Sequence, residues 1–375
     1  MRRRPGEVRD AIVHVLEGRH GAASVHEITN EVVQLIGDVP PSSIRSYLRL
    51  NTPVLFARMD RAQYVLNGFE EARQRPDLLT GKGLTRFSFG RASLVHSDCN
   101  TWLDAQAPNS LHAVVTDPPY GLVEYSDSEQ AKLRQGRGGV WRIPPSFDGS
   151  KRSPLPRFTV LKPTDLDALE RFFFALGRSL SRVLVPGANV VVASNPLLSY
   201  IVSGALARAG LERRGEIARL TMTMRGGDRP KAAHIEFDGV SVMPRSMWEP
   251  WLLFRKPLDG RVQDNLRKWG TGGFRRVSAA RPFGDVIESA PTRAAERKLA
   301  PHPSLKPQGF LRKVVRGVLP LGKGIVLDPF AGSGSTLAAA EAIGYVSTGI
   351  ERDPLYFKLA CEAVPRLAAL RVDEG

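Results

Sequence analysis

Two kinds of hydrophobic pattern alternate along the chain after residue 85. Short apolar runs predict strands at residues 92–96, 111–116, 189–193, 324–327 and 345–349. Between these runs, apolar positions recur every three or four residues, which predicts helices at residues 166–182, 197–209, 309–319 and 336–343. Strands that alternate with helices predict an α/β fold built on a doubly wound sheet. Ligands of such sheets bind beyond the carboxyl ends of the strands.

The first 70 residues have a separate pattern. Apolar residues at helical spacing predict a first helix containing Val8, Ile12, Val15 and Leu16. Ser24 followed by Glu27 is typical of an N-cap with its capping-box partner. A third helix is predicted at 43–50, and two short strands at 56–59 and 63–66 are joined by a turn at 60–61.

This order resembles the winged helix of helix-turn-helix modules attached to some restriction–modification and chromatin proteins. We therefore predict a winged-helix-like module at residues 1–70 and a polar linker at 71–85. If the module binds DNA, the helix that carries Arg45 and Arg49 faces the duplex. The alternative is a structural or protein-binding module.

The net charge of the chain says more about its partners than its overall composition does. The chain has 375 residues, 42% hydrophobic, with a formal net charge of +15 and a pI near 10.2. A basic balance of this size favours a polyanionic partner such as nucleic acid, although an arginine-rich solvated surface would give the same number. Two cysteines without a CxxC motif argue against a zinc site or a disulfide scaffold. With no apolar run of membrane-spanning length, we expect no membrane association and a cytoplasmic location.

The first candidate site follows the apolar run 111–116. It reads Asp117-Pro118-Pro119-Tyr120. A carboxylate and a proline carbonyl can accept the hydrogens of a planar amino group, and an aromatic ring can stack on the base that carries it. We predict a catalytic corner at these four residues.

A second corner follows the run 324–327. Gly332 and Gly334 lie in the loop after Asp328, and their lack of a Cβ lets the backbone approach a ligand closely. Glu351 ends the next predicted strand, at the distance where an acid often meets a ribose. A dinucleotide would call for G-x-G-x-x-G/A, and Leu337 stands at the third position. An adenosine ligand that carries a sulfonium instead of phosphates fits at least as well.

Two long basic segments interrupt the alternation, at 121–163 and 221–300. We predict that the first closes over the active site and that the second recognises the target sequence; the alternative for both is disorder. With the third helix of the first module, they supply the residues predicted to contact DNA: Arg45, Arg49, Arg137, Arg142, Arg267, Lys268, Arg275 and Arg276.

The two corners in this order resemble the beta group of S-adenosylmethionine-dependent DNA amino-methyltransferases, whose DPPY block precedes an FxGxG block. His302-Pro303-Ser304-Leu305-Lys306-Pro307 is similar to the HPxxKP element of that group. The resemblance covers about residues 86–365 and implies a Rossmann-like methyltransferase domain at 86–375. It also implies S-adenosylmethionine as cofactor, held by Asp98, Lys306, Asp328, Phe330, Gly332, Gly334, Ser335, Thr336 and Glu351.

The resemblance also implies roles at the first corner. Tyr120 would stack on a base flipped out of double-stranded DNA, while Asp117 and the Pro118 carbonyl would accept hydrogen bonds from its exocyclic amine. Asp98 has a second interpretation, as an acid that caps the turn at 100–103. Lys306 could equally be a surface lysine, and no metal site is expected.

An aspartate at the first position of DPPY favours adenine N6 as the target, with cytosine N4 as the alternative. The same residues would also fit a non-catalytic DNA-binding regulator on a methylase fold, or an enzyme that methylates RNA or a protein glutamine. A cognate restriction endonuclease, and a monomeric or homodimeric state, are compatible with the resemblance.

Overall fold

The computed structural model describes residues 7–17, 23–50, 52, 56–60, 62–66, 85–142, 154–225, 230, 233–244 and 246–372. It divides into two compact units, Met1–Leu78 and Leu79–Gly375. The predicted linker lies outside the described residues except for Thr85.

Within its described residues, the first unit has three helices and three short strands. The helices are α1 (Glu7–Glu17), α2 (Val25–Ile36) and α3 (Pro41–Leu50), and the strands are β1 (Ala23–Ser24), β2 (Phe56–Asp60) and β3 (Gln63–Leu66). The strands pair in the antiparallel order β1-β3-β2. The predicted elements are present in the predicted order; their classification as a winged helix remains a prediction.

Local signals explain the ends of these helices. The Ser24 hydroxyl accepts the Glu27 amide at 3.2 Å, and the Glu27 carboxylate accepts the Ser24 amide at 2.8 Å, as the capping box predicts. Ile12, Ile28 and Ile44 are fully buried in one apolar cluster, so each helix directs one face inward.

The second unit contains a nine-stranded sheet within the described part of the chain. Its strands are β4 (Arg86–Phe89), β5 (Ala92–His96), β6 (Leu111–Thr116), β9 (Leu184–Ala193), β10 (Glu212–Arg225), β11 (Ser246–Arg255), β12 (Val286–Glu288), β13 (Ile325–Asp328) and β14 (Val346–Glu351). Their spatial order is β12-β10-β11-β9-β6-β13-β14-β5-β4. The five strands from β9 to β5 are mutually parallel, whereas β4 and β11 run antiparallel to their neighbours.

Helices cover both faces of this sheet, which confirms the doubly wound prediction. They are α4 (Cys99–Asp104), α5 (Asp127–Arg134), α6 (Pro163–Val183), α7 (Ser199–Arg208), α8 (Val262–Trp269), α9 (Ala294–Leu299), α10 (Gln308–Val318), α11 (Ser335–Ala342) and α12 (Pro354–Ala368). Phe173 and Leu206 from α6 and α7 belong to one large apolar cluster, and Phe310 from α10 belongs to another. A two-stranded ribbon, β7 (Trp141–Arg142) with β8 (Leu155–Pro156), lies outside the main sheet.

The hairpin of β10 and β11 is the main departure from the sequence prediction. Residues 221–300 were predicted as one long insertion, but β11 and α8 give much of that segment regular structure. Because β11 runs antiparallel to β9, the chain leaves the active-site edge of the sheet at Ser246 and reaches the opposite edge at Arg255, which pairs with Asn189.

Candidate active site

The two predicted corners lie side by side. β6 and β13 are neighbouring parallel strands, so their carboxyl ends meet at one edge of the sheet. Thr116, the last residue of β6, donates its hydroxyl to Asp328 Oδ1 at 2.7 Å. Asp328 Oδ1 also accepts the Phe330 amide at 3.1 Å, which fixes the start of the second corner.

At the first corner, three polar side chains meet above the end of β6. The Tyr120 hydroxyl lies 2.8 Å from Asp117 Oδ1, and Lys306 Nζ lies 3.1 Å from Asp117 Oδ2. Lys306 also donates to the Tyr120 hydroxyl at 3.0 Å. The side chains of Lys306 and Asp117 are only 11% and 15% exposed, so water does little to screen the pair.

These surroundings set the protonation of each group. Burial raises the pKa of Asp117, the Lys306 ammonium opposes that rise, and the Glu249 carboxylate adds to it. Burial, with Asp117 and Glu249 nearby, holds the pKa of Tyr120 well above its usual value, so the phenol is neutral. Burial alone would lower the pKa of Lys306, but the two carboxylates outweigh it and raise that pKa, so the amine stays charged.

Two residues that the sequence did not point to complete this corner. The Oε1 atom of Glu249, on β11, accepts hydrogen bonds from Lys306 Nζ and from the Tyr120 hydroxyl, both at 2.7 Å. Its Oε2 atom accepts Arg219 Nη1 from β10 at 2.8 Å. Burial would raise the pKa of Glu249, but its ion pairs with Lys306 and Arg219 prevail and hold that pKa well below its usual range. The only sequence signal was a charged residue inside each of two otherwise strand-like segments.

The segment after Tyr120 begins with a tight turn. The Val123 amide donates to the Gly121 carbonyl at 2.7 Å around Leu122, whose φ of +62° lies in the region that non-glycine residues rarely adopt. Phe158, farther along the same segment, places its ring edge-on to Tyr120 with centroids 6.5 Å apart. Part of the 121–163 segment thus packs against the catalytic corner.

At the second corner, glycines and one carboxylate shape the loop. Gly332 and Gly334 have φ values of +51° and +77°, where a side chain would be strained. A Cβ on Gly332 would lie 3.1 Å from the His302 ring. Glu351, at the end of β14, accepts the Gly332 amide through Oε2 and the Asp353 amide through Oε1, both at 2.8 Å.

This loop fits an adenosine ligand without phosphates. Each Glu351 oxygen accepts one amide, which leaves lone pairs for the two hydroxyls of a ribose. The same carboxylate would repel a diphosphate. Phe330 is half-buried and packs on Phe172 at 5.9 Å between ring centroids, which leaves apolar surface for the ligand to contact.

The remaining predicted cofactor residues lie around this loop or under it. Burial raises the pKa of Asp328 to about 6, and hydrogen bonds from Thr116 and Thr336 oppose the rise. Ser335 and Thr336 begin α11 and are almost fully buried. Lys306, in contrast, contacts the first corner, and its predicted contact with the cofactor remains a prediction.

Asp98 has the capping geometry that was its alternative interpretation. Its Oδ1 atom accepts the amides of Asn100 and Thr101 at 3.0 and 3.1 Å, at the start of α4. The cap uses one oxygen, so a role toward the cofactor adenine remains a prediction.

Comparison with known proteins agrees with this geometry. A family of proteins described as DNA methylases matches residues 243–362, a range that includes Glu249, Lys306 and the second corner. The type II methyltransferase M2.DpnII of Streptococcus pneumoniae is 22% identical over 71% of this chain and 87% of its own length. The type II methyltransferase M.HindIII of Haemophilus influenzae is 24% identical over 67% of this chain and 88% of its own length.

Residues 243–362 thus match a DNA methylase family, and the longer alignments make the chain similar to type II DNA methyltransferases. Among solved structures, the chain is similar to the cytosine-N4-specific PvuII DNA methyltransferase, with 14% identity, a TM-score of 0.48 and coverage of 76% of this chain and 89% of that one. It is also similar to a DNA modification methylase from Thermus thermophilus complexed with S-adenosyl-L-methionine, with 20% identity, a TM-score of 0.47 and coverage of 75% and 95%.

The structure places the predicted DNA-contacting residues in three regions. Arg137 and Arg142 are exposed on the segment that packs against Tyr120, and Arg45 and Arg49 are exposed on α3 of the first unit. Arg267 and Lys268 lie on α8, which packs beside Pro186 and Gly187 at the amino-terminal edge of the sheet.

Arg275 and Arg276 lie at that same edge. Arg275 donates to the Tyr345 hydroxyl at 2.7 Å, and Tyr345 stands just before β14. Antiparallel β11 carries the chain from the active-site edge to this one, so these four basic residues lie away from Asp117, and their contact with DNA stays a prediction. Other described residues of the 221–300 stretch do lie at the active-site edge: Glu249 on β11 contacts Tyr120, and β12, parallel to β10, brings the chain back there at Ser289.

Two further features are absent from the described part of the chain. None of its helices is long and apolar enough to cross a membrane. No group of three or more His, Cys, Asp or Glu side chains within the described ranges is placed to hold a metal ion.

Proposed function

We propose that this methylase transfers a methyl group from S-adenosylmethionine to the exocyclic N6 amine of adenine in double-stranded DNA. The observation that supports this most directly is the hydrogen bond between Thr116 and Asp328, since it joins the end of the strand before Asp117 to the start of the glycine loop. A donor seated on that loop and an amine held at Asp117 would then be neighbours.

Each residue of the first corner has a physical role. Asp117 and the Pro118 carbonyl accept the hydrogens of the amine, and Tyr120 stacks on the base. The lone pair of such an amine is delocalised into the ring, so acceptors that favour a pyramidal nitrogen lower the barrier. When bound, S-adenosylmethionine would supply an electrophilic methyl carbon to the nitrogen lone pair, with the S–C electron pair leaving on sulfur. The nitrogen then sheds one proton, for which the nearest base is Asp117.

The residues that would hold the donor are those of the second corner. Glu351 accepts the ribose hydroxyls, and Phe330 contacts the adenine. Gly332 and Gly334 keep the loop open, while Asp328, Ser335 and Thr336 fix its base. Asp98 and Lys306 complete the proposed set.

Adenine is preferred to cytosine because of Asp117. An aspartate at the first position of DPPY resembles adenine enzymes, whereas serine there resembles cytosine N4 enzymes. Both reactions need the same acceptors, so the choice between the bases depends on this resemblance alone.

Duplex DNA would reach the site from the carboxyl edge of the sheet. We assign its contacts to the 121–163 segment, with Arg137 and Arg142, and to the tip of the β10–β11 hairpin between Arg225 and Ser246. Arg45 and Arg49 on α3 provide a separate contact to the backbone. Relatives named as type II methyltransferases suggest a cognate restriction endonuclease as a partner.

The test is transfer of a labelled methyl group to DNA. Wild-type protein should label duplex DNA, and Asp117→Ala should not, although it still binds the donor. Absence of label on any DNA, with the donor bound by the wild type, would support the non-catalytic regulator instead. Preferential labelling of RNA or of a protein glutamine in a competition assay would assign a different substrate.

A further inference from the structure

Five side chains behind the first corner form one continuous buried chain. Arg219 contacts Glu249, Glu249 contacts Lys306 and Tyr120, and these two contact Asp117. The Arg219 and Glu249 side chains are 4% and 13% exposed. Two carboxylates and two cations balance in charge, as a buried polar network requires.

This network has two possible arrangements. The Tyr120 hydroxyl carries one proton but lies 2.8 Å from Asp117 and 2.7 Å from Glu249. It can therefore donate to only one of them at a time. Lys306 Nζ likewise lies between the two carboxylates, 3.1 Å from Asp117 and 2.7 Å from Glu249.

Only one arrangement suits the proposed reaction. With Tyr120 on one oxygen of Asp117 and Lys306 on the other, an incoming amine must compete for the carboxylate. An ammonium beside the reacting nitrogen also opposes the reaction, because that nitrogen becomes positive as it gains the methyl group. Asp117 acts best when both donors have turned to Glu249.

We propose that binding of the target amine moves Lys306 and the Tyr120 proton from Asp117 onto Glu249, so that Glu249 is the positioning residue that frees Asp117 for the substrate. The inference rests on the proposed function. The shift is short, because both donors already contact Glu249. That acceptor is held in place by Arg219 at 2.8 Å and by Trp251 Nε1 at 3.3 Å, and Arg219 is itself anchored on the Ser289 hydroxyl at 3.0 Å.

Several titratable groups face Asp117. Lys306 and Glu249 are its charged partners, and Tyr120 contacts it directly. The charge of Asp117 in turn raises the pKa of Asp328 and of Tyr125. Lys306 lowers the pKa of Asp117 and Glu249 raises it. Loss of either charge should move the acid limb of the kcat profile, which reports Asp117, in a predictable direction.

The experiment compares Glu249→Gln, Lys306→Met and the double variant with wild type. In E249Q, Asp117 is the one carboxylate among the described residues that still pairs with Lys306. The kcat should therefore fall by up to about 100-fold. The acid limb should move to lower pH, whereas in K306M it should move to higher pH. The double variant should recover much of the activity that E249Q lost, because the competing ammonium is gone.

A second readout needs no methyl transfer. Without cofactor, wild-type protein should bind a duplex that contains the target base more tightly than one whose analogue lacks the exocyclic amine. E249Q should lose that preference, and the double variant should regain it. If E249Q fails to fold, the pH profile of K306M carries the test: its acid limb should move to higher pH, and an unmoved limb would overturn the proposal.

Glu212→Gln is the matched control. Glu212 pairs with Arg255 at 2.6 Å on the same hairpin but at the opposite edge of the sheet, so its loss should leave the pH profile unchanged. An E249Q variant with wild-type kcat, or a double variant no better than E249Q, would overturn the proposal. If wild-type protein methylates no DNA, the proposed function fails instead.

Discussion

Thr116 Oγ1 lies 2.7 Å from Asp328 Oδ1, so a single hydrogen bond joins the strand that leads into the catalytic corner to the strand that leads into the glycine loop. Both residues are almost fully buried, at 0% and 3% exposure. Thr116 and Asp328 end neighbouring parallel strands, and Asp117 and Phe330 follow them within two positions. The sheet register therefore brings together two motifs that are more than 200 residues apart in sequence.

Thr116→Val should weaken this connection. The substitution keeps the shape but removes the hydroxyl, leaving a buried Asp328 oxygen with one donor fewer, so unfolding free energy should fall by about 1–3 kcal/mol. It should also raise the pKa of Asp328, which Thr116 lowers. Ser347→Ala is the control, since that hydroxyl is buried on β14 without a hydrogen-bond partner. Equal losses in a denaturant titration of both variants would refute the role of the bond.

Asp328 should make stability depend on pH. Its pKa is about 6 in the folded protein against 3.8 for an ordinary aspartate, so between these values the folded state binds more protons than the unfolded state. This contribution therefore favours folding at low pH and is lost as pH rises through about 6. The shift corresponds to about 3 kcal/mol.

Asp328→Asn removes the titration and provides the measurement. The difference in unfolding free energy between wild type and D328N should change by about 3 kcal/mol between about pH 4 and about pH 7, with wild type losing relative stability as pH rises. A difference that stays constant across this range would show that Asp328 has an ordinary pKa.

Gly332→Ala should damage the cofactor loop. Its φ of +51° is strained for alanine by about 1–2 kcal/mol, and the new Cβ would press on the His302 ring. The loop would shift, and the bond from the Gly332 amide to Glu351 would weaken, so donor affinity measured by calorimetry should fall. Gly204→Ala, at an exposed position of α7 with open space around it, should leave affinity unchanged. Unaltered donor binding by G332A would remove this loop from the proposed site.

Arg45 and Arg49 should contribute to DNA affinity without contributing to chemistry. They stand one turn apart on α3 and are exposed, whereas the preceding Ile44 and Leu48 are fully buried. Replacing both with alanine should lower the slope of log affinity against log salt by about 2, because each arginine would contact one phosphate. The kcat at saturating DNA should not change.

The matched control removes two arginines from the amino-terminal edge of the main sheet, which is the edge away from Asp117. The control is the double variant Arg261→Ala, Arg267→Ala. Arg267 lies on α8 and Arg261 directly precedes that helix, and both arginines pair with Asp264. If this control lowers the salt slope as much as the α3 variant does, net charge alone explains the effect.

Strongly local features were predictable from sequence. The apolar run at 111–116 and the DPPY residues after it fixed the first corner, and the Ser24–Glu27 capping box formed as its spacing indicates. The Gly332 amide donates to Glu351 at 2.8 Å, so the two lie together, and the ribose contact that their spacing indicates stays a prediction.

Long-range features were not predictable. Glu249 lies 129 positions from Tyr120, and no local pattern shows that a charged residue inside a strand points into a site. The direction of β11 was equally hidden, since a single strand pattern does not reveal whether its neighbour runs parallel or antiparallel. That direction places Arg267 and Arg275 at the amino-terminal edge of the sheet, away from Asp117, although the basic charge of residues 221–300 had suggested DNA contacts for them.

Mass spectrometry of nucleosides from duplex DNA incubated with S-adenosylmethionine and either wild type or Asp117→Ala tests the central claim most directly. We predict N6-methyladenine with the wild type and none with the variant. N4-methylcytosine would keep the mechanism and change the base. Methylation at a ring carbon, or equal product from both proteins, would contradict an amine held at Asp117.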